Sequence, residues 1–284
     1  MKQFFLLSFS VFLFSCSSTK KVVKKCPKQD PKTVVASPPT VTPPPVIQEE
    51  VKVVVPNNEE MLPPKTAVTP EKFNHAIFDM LLEENVSNDG RTNYKGFIKN
   101  KNIFKQYLQS LSNNMPDETW SKDDKFAYWM NAYNAFTIKL IIDNYPTQSI
   151  KDIKDAWNTR FFKLGSKWYN LSEIEHKILR KMGDPRIHFG INCASFSCPP
   201  LLNGAFTAAT VNSKLDFLAH QFVNDPLRNK ITENRIQLSK IFQWYGKDFK
   251  TQGSLIDFLN KYSEITINKN AKKSYLKYNW NLNE

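Results

Sequence analysis

Four cysteines in 284 residues are too few to staple the chain, so a disulfide-built scaffold is excluded. Long hydrophobic runs are lacking as well. Beyond the N-terminus no apolar stretch reaches the roughly 18–20 residues that span a bilayer, so the chain does not read as a polytopic membrane protein. No internal repeat is visible, and no paired Cys-x-x-Cys or His-x-x-x-His spacing offers a metal site. The net charge of +12 comes without a nucleic-acid module or a basic-aromatic stripe, so nucleic acid is not an expected partner. The reading calls for no cofactor and no metal.

Proline, by contrast, is abundant and uneven: 11 of the 17 fall within residues 1–70. The first sixteen residues combine a basic start, an apolar stretch from Phe4 to Phe14 and the pair Ser15-Cys16. Those are the parts of a secretory signal, too short for a stable span. Leu13-Phe14-Ser15-Cys16 resembles a bacterial lipobox, which predicts a signal peptide over 1–15 and lipidation at Cys16. Acyl chains on one cysteine hold a protein to a membrane through about 0.8 kcal/mol per buried CH₂. Residues 16–69 mix Val, Pro, Thr and Lys without helical or strand period, which predicts a disordered, semi-rigid linker. The expected location is the cell envelope, with the chain lipid-anchored to a bacterial membrane and either periplasmic or surface-exposed.

Residues 70–284 read as one globular domain. Thr69-Pro70-Glu71 writes a helix start, followed by Phe73, Ile77 and Leu81 with Phe78 and Leu82 at helical spacing. A second helix is expected over 122–143, opened by a Ser121/Asp124 capping box. It is apolar around most of its circumference, so it should be buried, and it carries Asn131 and Asn134 inside with it. Those amides either pin a neighbouring loop or serve the site directly. A hairpin is expected around Gly165-Ser166, and then a helix capped by Ser172 with Glu175 at its third position, stopping at Gly183. Alternation in Arg186–Ile191 predicts a short strand. A helix over 211–224, strands over 230–232 and 235–238, and helices opened by Ser239 and Ser254 complete the pattern. Helices first, then mixed elements without βαβ alternation, predict an α+β domain of helices packed on a small, mostly antiparallel sheet.

The chemistry crowds into residues 175–198: Glu175-His176, Arg180, His188, and Cys193 with Cys198. A thiol beside an imidazole is the minimum set for nucleophilic catalysis, since the base raises the thiolate fraction and later protonates the leaving group. The same residues admit other readings. Cys193 and Cys198 can close a tight loop as a disulfide, lie buried and inert, or ligate a metal. Glu175 can be a helix-capping residue, His176 a surface residue, and His188 a structural hydrogen-bonding group. Nothing in the sequence singles out His75 or His220.

Three stretches then carry a resemblance: Phe126-Ala-Tyr-Trp-Met-Asn131-Ala-Tyr-Asn134-Ala, Ile174-Glu-His-Lys-Ile-Leu-Arg180, and Ile187-His188-Phe-Gly-Ile-Asn-Cys193-Ala-Ser-Phe-Ser-Cys-Pro. In order, with Ile241–Phe249 and Tyr278–Leu282 behind them, they resemble the blocks of the domain of unknown function numbered 547. The resemblance spans roughly 75–283. It implies that Asn131, Asn134, Glu175, His176, Arg180, His188 and Cys193 belong to a shared pattern, without supplying their roles. Cys198 matches only the bacterial form of that pattern.

Two functions are therefore expected. The first is an envelope Cys-dependent hydrolase or acyl-transferase. Cys193 would be the nucleophile and His188 or His176 the base, with Glu175 or Asn131 orienting the imidazole and Arg180 or Asn134 stabilising charge. The second is a non-enzymatic binding or assembly module with a Cys193–Cys198 disulfide, contacting an envelope polymer or another protein.

Overall fold

One helix, α4 (Lys122–Asp143), organises the interior, and its start is written chemically. Ser121 Oγ accepts from the Asp124 amide at 3.0 Å while Asp124 Oδ2 accepts from the Ser121 amide at 3.3 Å, so two otherwise orphaned donors are satisfied together. Fifteen of its residues are buried, as expected of a helix apolar nearly all round. The computed structural model describes residues 71–284. The expected signal peptide, Cys16, the Pro-rich linker and the Thr69-Pro70 cap lie outside the described residues.

Three helices precede α4: α1 (Ala76–Asn85), α2 (Tyr94–Lys99) and α3 (Lys101–Asn113). The first begins at Ala76, five residues later than Glu71, and Ile77 of the expected apolar face is exposed. Phe73 is buried ahead of the helix instead, packing edge-on to Tyr128 of α4 with ring centroids 5.5 Å apart. Phe78 stacks on Tyr107 at 4.8 Å, and Phe97 meets Phe104 at 5.4 Å. Each such fully buried ring contributes about 1.5–3 kcal/mol of transfer energy, enough to fix the layer on α4.

The hairpin forms where Gly165-Ser166 calls for it. Strand β1 (Phe162–Leu164) pairs antiparallel with β2 (Lys167–Tyr169), and Gly165 takes φ +56° at the turn. The next helix, α5 (Leu171–Glu173), is capped by Asn170, whose Oδ1 accepts from the Glu173 amide at 2.7 Å, and not by Ser172. The chain then widens into a π turn over Ile174–Ile178 and tightens into a 3₁₀ turn over Leu179–Met182, ending at Gly183 with φ +81°. Glu175 is therefore no cap. It sits buried on the π turn.

Residues 186–191 correct the expected strand. Ile187–Gly190 make one helical turn, α6, in which all four residues are buried, so alternation there carries no information about facing. Gly190 is required for the packing: a Cβ would lie 2.2 Å from Met130 Cε and 2.9 Å from Leu215 Cδ2.

Helix α7 (Val211–Asn224) has the expected limits and buries Leu215, Leu218, Phe222 and Val223. Strands β3 (Lys230–Ile231) and β4 (Arg235–Leu238) pair antiparallel. The short helices α8 (Ile241–Trp244) and α9 (Leu255–Asn260) follow, the latter capped by Ser254 and Asp257. Strand β5 (Lys272–Tyr275), absent from the sequence reading, adds to β4 in parallel, giving the order β3-β4-β5. The fold is α+β, with helices and two small sheets around one core. No helix among the described residues is long and apolar enough to cross a membrane.

Candidate active site

A loop turned out of α6 carries Cys193, and α4 positions it. Asn134 donates to Gly190 O at 2.9 Å and accepts from the Asn192 amide at 2.9 Å, fixing the chain just ahead of the cysteine. Asn192 then accepts from the Ala194 amide at 2.7 Å and donates to Pro199 O at 2.8 Å, folding the loop on itself. Ala194 takes φ +58°, a left-handed conformation that costs a non-glycine residue about 1 kcal/mol. Such strain immediately after a reactive side chain is a common feature of sites that hold a nucleophile out of the regular backbone path.

The C-terminal segment closes the other side. Phe196 and Ser197 amides donate to Asn281 O at 2.7 Å and Asn279 O at 3.1 Å. Tyr278 brings its hydroxyl 2.9 Å from Ser195 Oγ and 3.4 Å from Cys193 Sγ. Arg228 donates to Cys198 O and Phe196 O at 3.1 and 3.0 Å.

Cys193 and Cys198 are both free thiols, with Sγ atoms 3.0 Å apart. Their environments separate them. Hydrogen bonding with Cys198, then with Ser195 and Tyr278, pulls the half-buried Cys193 thiol below the usual range, against the cost of burial. Burial pushes Cys198 well up, so Cys193 ionises first and Cys198 stays protonated.

Cys193 and His188 line one cavity of about 90 Å³, together with Glu175 and a wall of aromatic rings. His188 is buried, and its Nε2 lies 2.8 Å from Asp248 Oδ2. A carboxylate can only accept, so Nε2 carries the proton and Nδ1 is the basic nitrogen. Burial lowers the pKa of this imidazole, with Asp248 and Glu175 opposing, so the ring is neutral near pH 7. Asp248 is held well below the carboxylate range by the His188 hydrogen bond and by Arg180. Arg180 grips it in a fork, Nε to Oδ2 at 2.6 Å and Nη2 to Oδ1 at 2.7 Å. Tyr245 stacks flat on His188 at 3.9 Å between centroids.

The structure thus brings Glu175, His188 and Cys193 of the expected set together. His176 is half-exposed and outside the cavity lining, its Nδ1 taken by Arg180 Nη1 at 3.2 Å. Arg180 is spent on Asp248 and does not line the cavity, which corrects its expected role as a charge stabiliser there. Asn131 holds Phe206 by both amide atoms, accepting at 3.0 Å and donating at 2.7 Å, and so pins a loop just as Asn134 does. Neither amide orients the imidazole. That task falls to Asp248, which the sequence reading missed, although it lies in the Ile241–Phe249 block. Tyr278, in the closing block, was missed in the same way. Four larger hollows, among them one of about 350 Å³ beside Arg186 and one of about 440 Å³ beside Arg228, are lined by neither cysteine nor histidine.

Fold and site together define an α+β domain that presents an acidified thiol and a carboxylate-held imidazole to one small cavity. Residues 118–223, which include α4, Glu175, His188 and Cys193, match the family described as a protein of unknown function, DUF547. No curated protein and no solved structure matches the chain.

Proposed function

We propose that this domain is a thiol-dependent hydrolase or acyl-transferase, carried by a bacterial envelope lipoprotein lipidated at Cys16. The observation that carries the catalytic reading is the shared cavity of Cys193 and a His188 whose Nε2 is committed to Asp248. His188 Nδ1 takes the thiol proton as Cys193 Sγ bonds to an ester or amide carbonyl carbon, and the carbonyl π pair moves to oxygen. Collapse breaks the bond to the leaving group, which receives the proton from His188, and leaves a thioester. Water or an acceptor, deprotonated by the same nitrogen, attacks the thioester and returns the proton to the sulfur. The lipobox-like Leu13–Cys16 supports the envelope address.

The test is acetylation of the reduced full-length protein by p-nitrophenyl acetate, followed by peptide mass spectrometry. Acetyl-Cys193 should form and hydrolyse, and His188→Ala and Asp248→Asn should each slow both steps by about 10²-fold. Equal rates in both variants would remove His188 as the base. The 3.0 Å sulfur separation favours a second reading, a binding module closed by a Cys193–Cys198 disulfide. Protein isolated without reductant with an intact mass two protons light, and no acetylation of Cys193 even after reduction, would favour that module over catalysis.

A further inference from the structure

Glu175 is left over by this mechanism, and its surroundings say what it is for. Its side chain is 6% exposed, and Oε2 accepts from the Tyr133 hydroxyl at 3.2 Å. Oε1 is buried without a well-formed hydrogen bond, alone in this among the buried side-chain polar atoms of the described residues, although the Tyr245 hydroxyl comes close enough to the carboxylate to feel it. An anionic oxygen buried without a protein partner is costly, so native interiors seldom keep one without use. The nearby cations do not answer it. His176 Nδ1 is 3.8 Å from Oε1, but it accepts from Arg180 and so has no proton to give in that direction. Arg180 spends Nε and Nη2 on Asp248.

The rest of the wall has the same preference. Tyr133, Trp157, Trp244, Tyr245, Tyr278 and Trp280 line the cavity. Aromatic faces attract cations, and two of these rings already do so: Lys151 Nζ lies 5.5 Å from the Trp280 centroid and the Arg180 guanidinium 5.5 Å from that of Tyr245.

We infer that the cavity binds a primary ammonium group, with Glu175 Oε1 as its hydrogen-bond acceptor and the aromatic wall around it. A quaternary ammonium has charge but no N–H for Oε1, a neutral alcohol has a donor but no charge, and an anion is repelled. The inference rests on the reading of this cavity as the substrate site of Cys193, and it narrows that substrate. The scissile acyl compound or the acyl acceptor carries a free amine close to the reacting carbonyl, because about 90 Å³ leaves room for little else. The amine can be the α-ammonium of a peptide or the side-chain ammonium of a lysine-like residue.

The test is binding, not turnover. Tryptophan fluorescence of the full-length protein at pH 7 reports the cavity through Trp157, Trp244 and Trp280. Alaninamide, n-butylammonium, tetramethylammonium and n-butanol are the probes. Saturable quenching by either primary ammonium, at least about tenfold tighter than by tetramethylammonium or n-butanol, is expected. Alaninamide binding more tightly assigns the α-ammonium; n-butylammonium binding more tightly assigns the side-chain group. Glu175→Gln should weaken the better ligand by about tenfold or more, and Cys193→Ala should not weaken it. Equal binding of n-butanol, tighter binding of tetramethylammonium, or an unchanged Glu175→Gln affinity overturns the inference. The ligand series on the unaltered protein decides even if the variant folds poorly. Binding in Cys193→Ala separates this result from failure of the nucleophile, which only the acetylation experiment reads.

Discussion

Two buried polar regions of this domain lie side by side and are built to opposite rules. Along α4 every buried polar group has its partner. Asn131 holds Phe206, Asn134 holds Gly190 and Asn192, and Tyr128 donates to Leu111 O at 2.6 Å. In the layer beside it, His75 Nδ1 meets the Tyr107 hydroxyl at 2.8 Å. The cavity next to this helix has a free basic nitrogen on His188, an acidified thiol, and a carboxylate oxygen without a well-formed hydrogen bond. Glu175 and His188 are as deeply buried as Asn131 and Asn134, so burial alone does not mark function. What differs is saturation: the helix side has made its hydrogen bonds, and the cavity keeps part of its capacity unused within the fold.

The largest expected effect comes from breaking the saturated side. Asn134→Ala leaves Gly190 O and the Asn192 amide buried without partners. Each orphaned group costs about 1–3 kcal/mol, so a loss of about 3 kcal/mol in urea unfolding is expected. The same variant frees the chain ahead of Cys193, so its acetylation by p-nitrophenyl acetate should slow as well. A loss below about 1 kcal/mol would mean that the loop finds other partners, and the contrast between the regions would lose its footing.

The saturated side was also the legible one. Helix α4 follows from Ser121, Asp124 and a continuous apolar surface, and α7 from its period, because long elements average over many residues. The hairpin follows from Gly165, and the stop at Gly183 from glycine's access to positive φ. The shorter pieces went astray. In Ile187–Gly190 a strand-like alternation gave way to one helical turn, since a four-residue segment buried on all sides takes whatever conformation its neighbours pack best. Strand β5, written Lys-Lys-Ser-Tyr, has no apolar face to announce it. Glu175, His188 and Cys193 were legible because their chemistry is unusual at close spacing. Asp248 was not, because 60 residues separate it from His188 and no local rule links a carboxylate to an imidazole across that interval. Nor does a sequence say which of two polar groups is satisfied. Asn134 and Glu175 look alike until their partners are counted.

A middle-sized effect tests the saturated side through pH. Burial lowers the pKa of His75 to about 3, with Asp124 opposing. In the unfolded chain the ring takes a proton below about pH 6.5, whereas the folded ring refuses it until about 3. The unfolded state then binds more protons, so stability is full above that upper value and falls with pH, by up to about 1.4 kcal/mol per unit. From pH 6.5 to 5 this is about 2 kcal/mol. Urea unfolding across that window should show His75→Gln with a slope shallower by one proton. His188 titrates in the same sense and remains in the variant, so some slope should persist. An unchanged slope would mean that His75 does not stay neutral.

The smallest effect sharpens the comparison most, because it separates a structural carboxylate from a poised one. Glu175→Gln keeps the shape and leaves a carbonyl oxygen for the Tyr133 hydroxyl. It removes a buried charge whose second oxygen lacks a well-formed hydrogen bond, and that relief offsets the lost attraction to Arg180. Stability should therefore change by less than about 1 kcal/mol in either direction, against about 3 kcal/mol for Asn134→Ala. Near-neutrality in urea unfolding, with ammonium affinity lost, is the signature of a group held for a ligand. A loss as large as that of Asn134→Ala would make Glu175 part of the scaffold. The unmatched oxygen would then be filled from within the fold, and the cavity would have no charge of its own to offer.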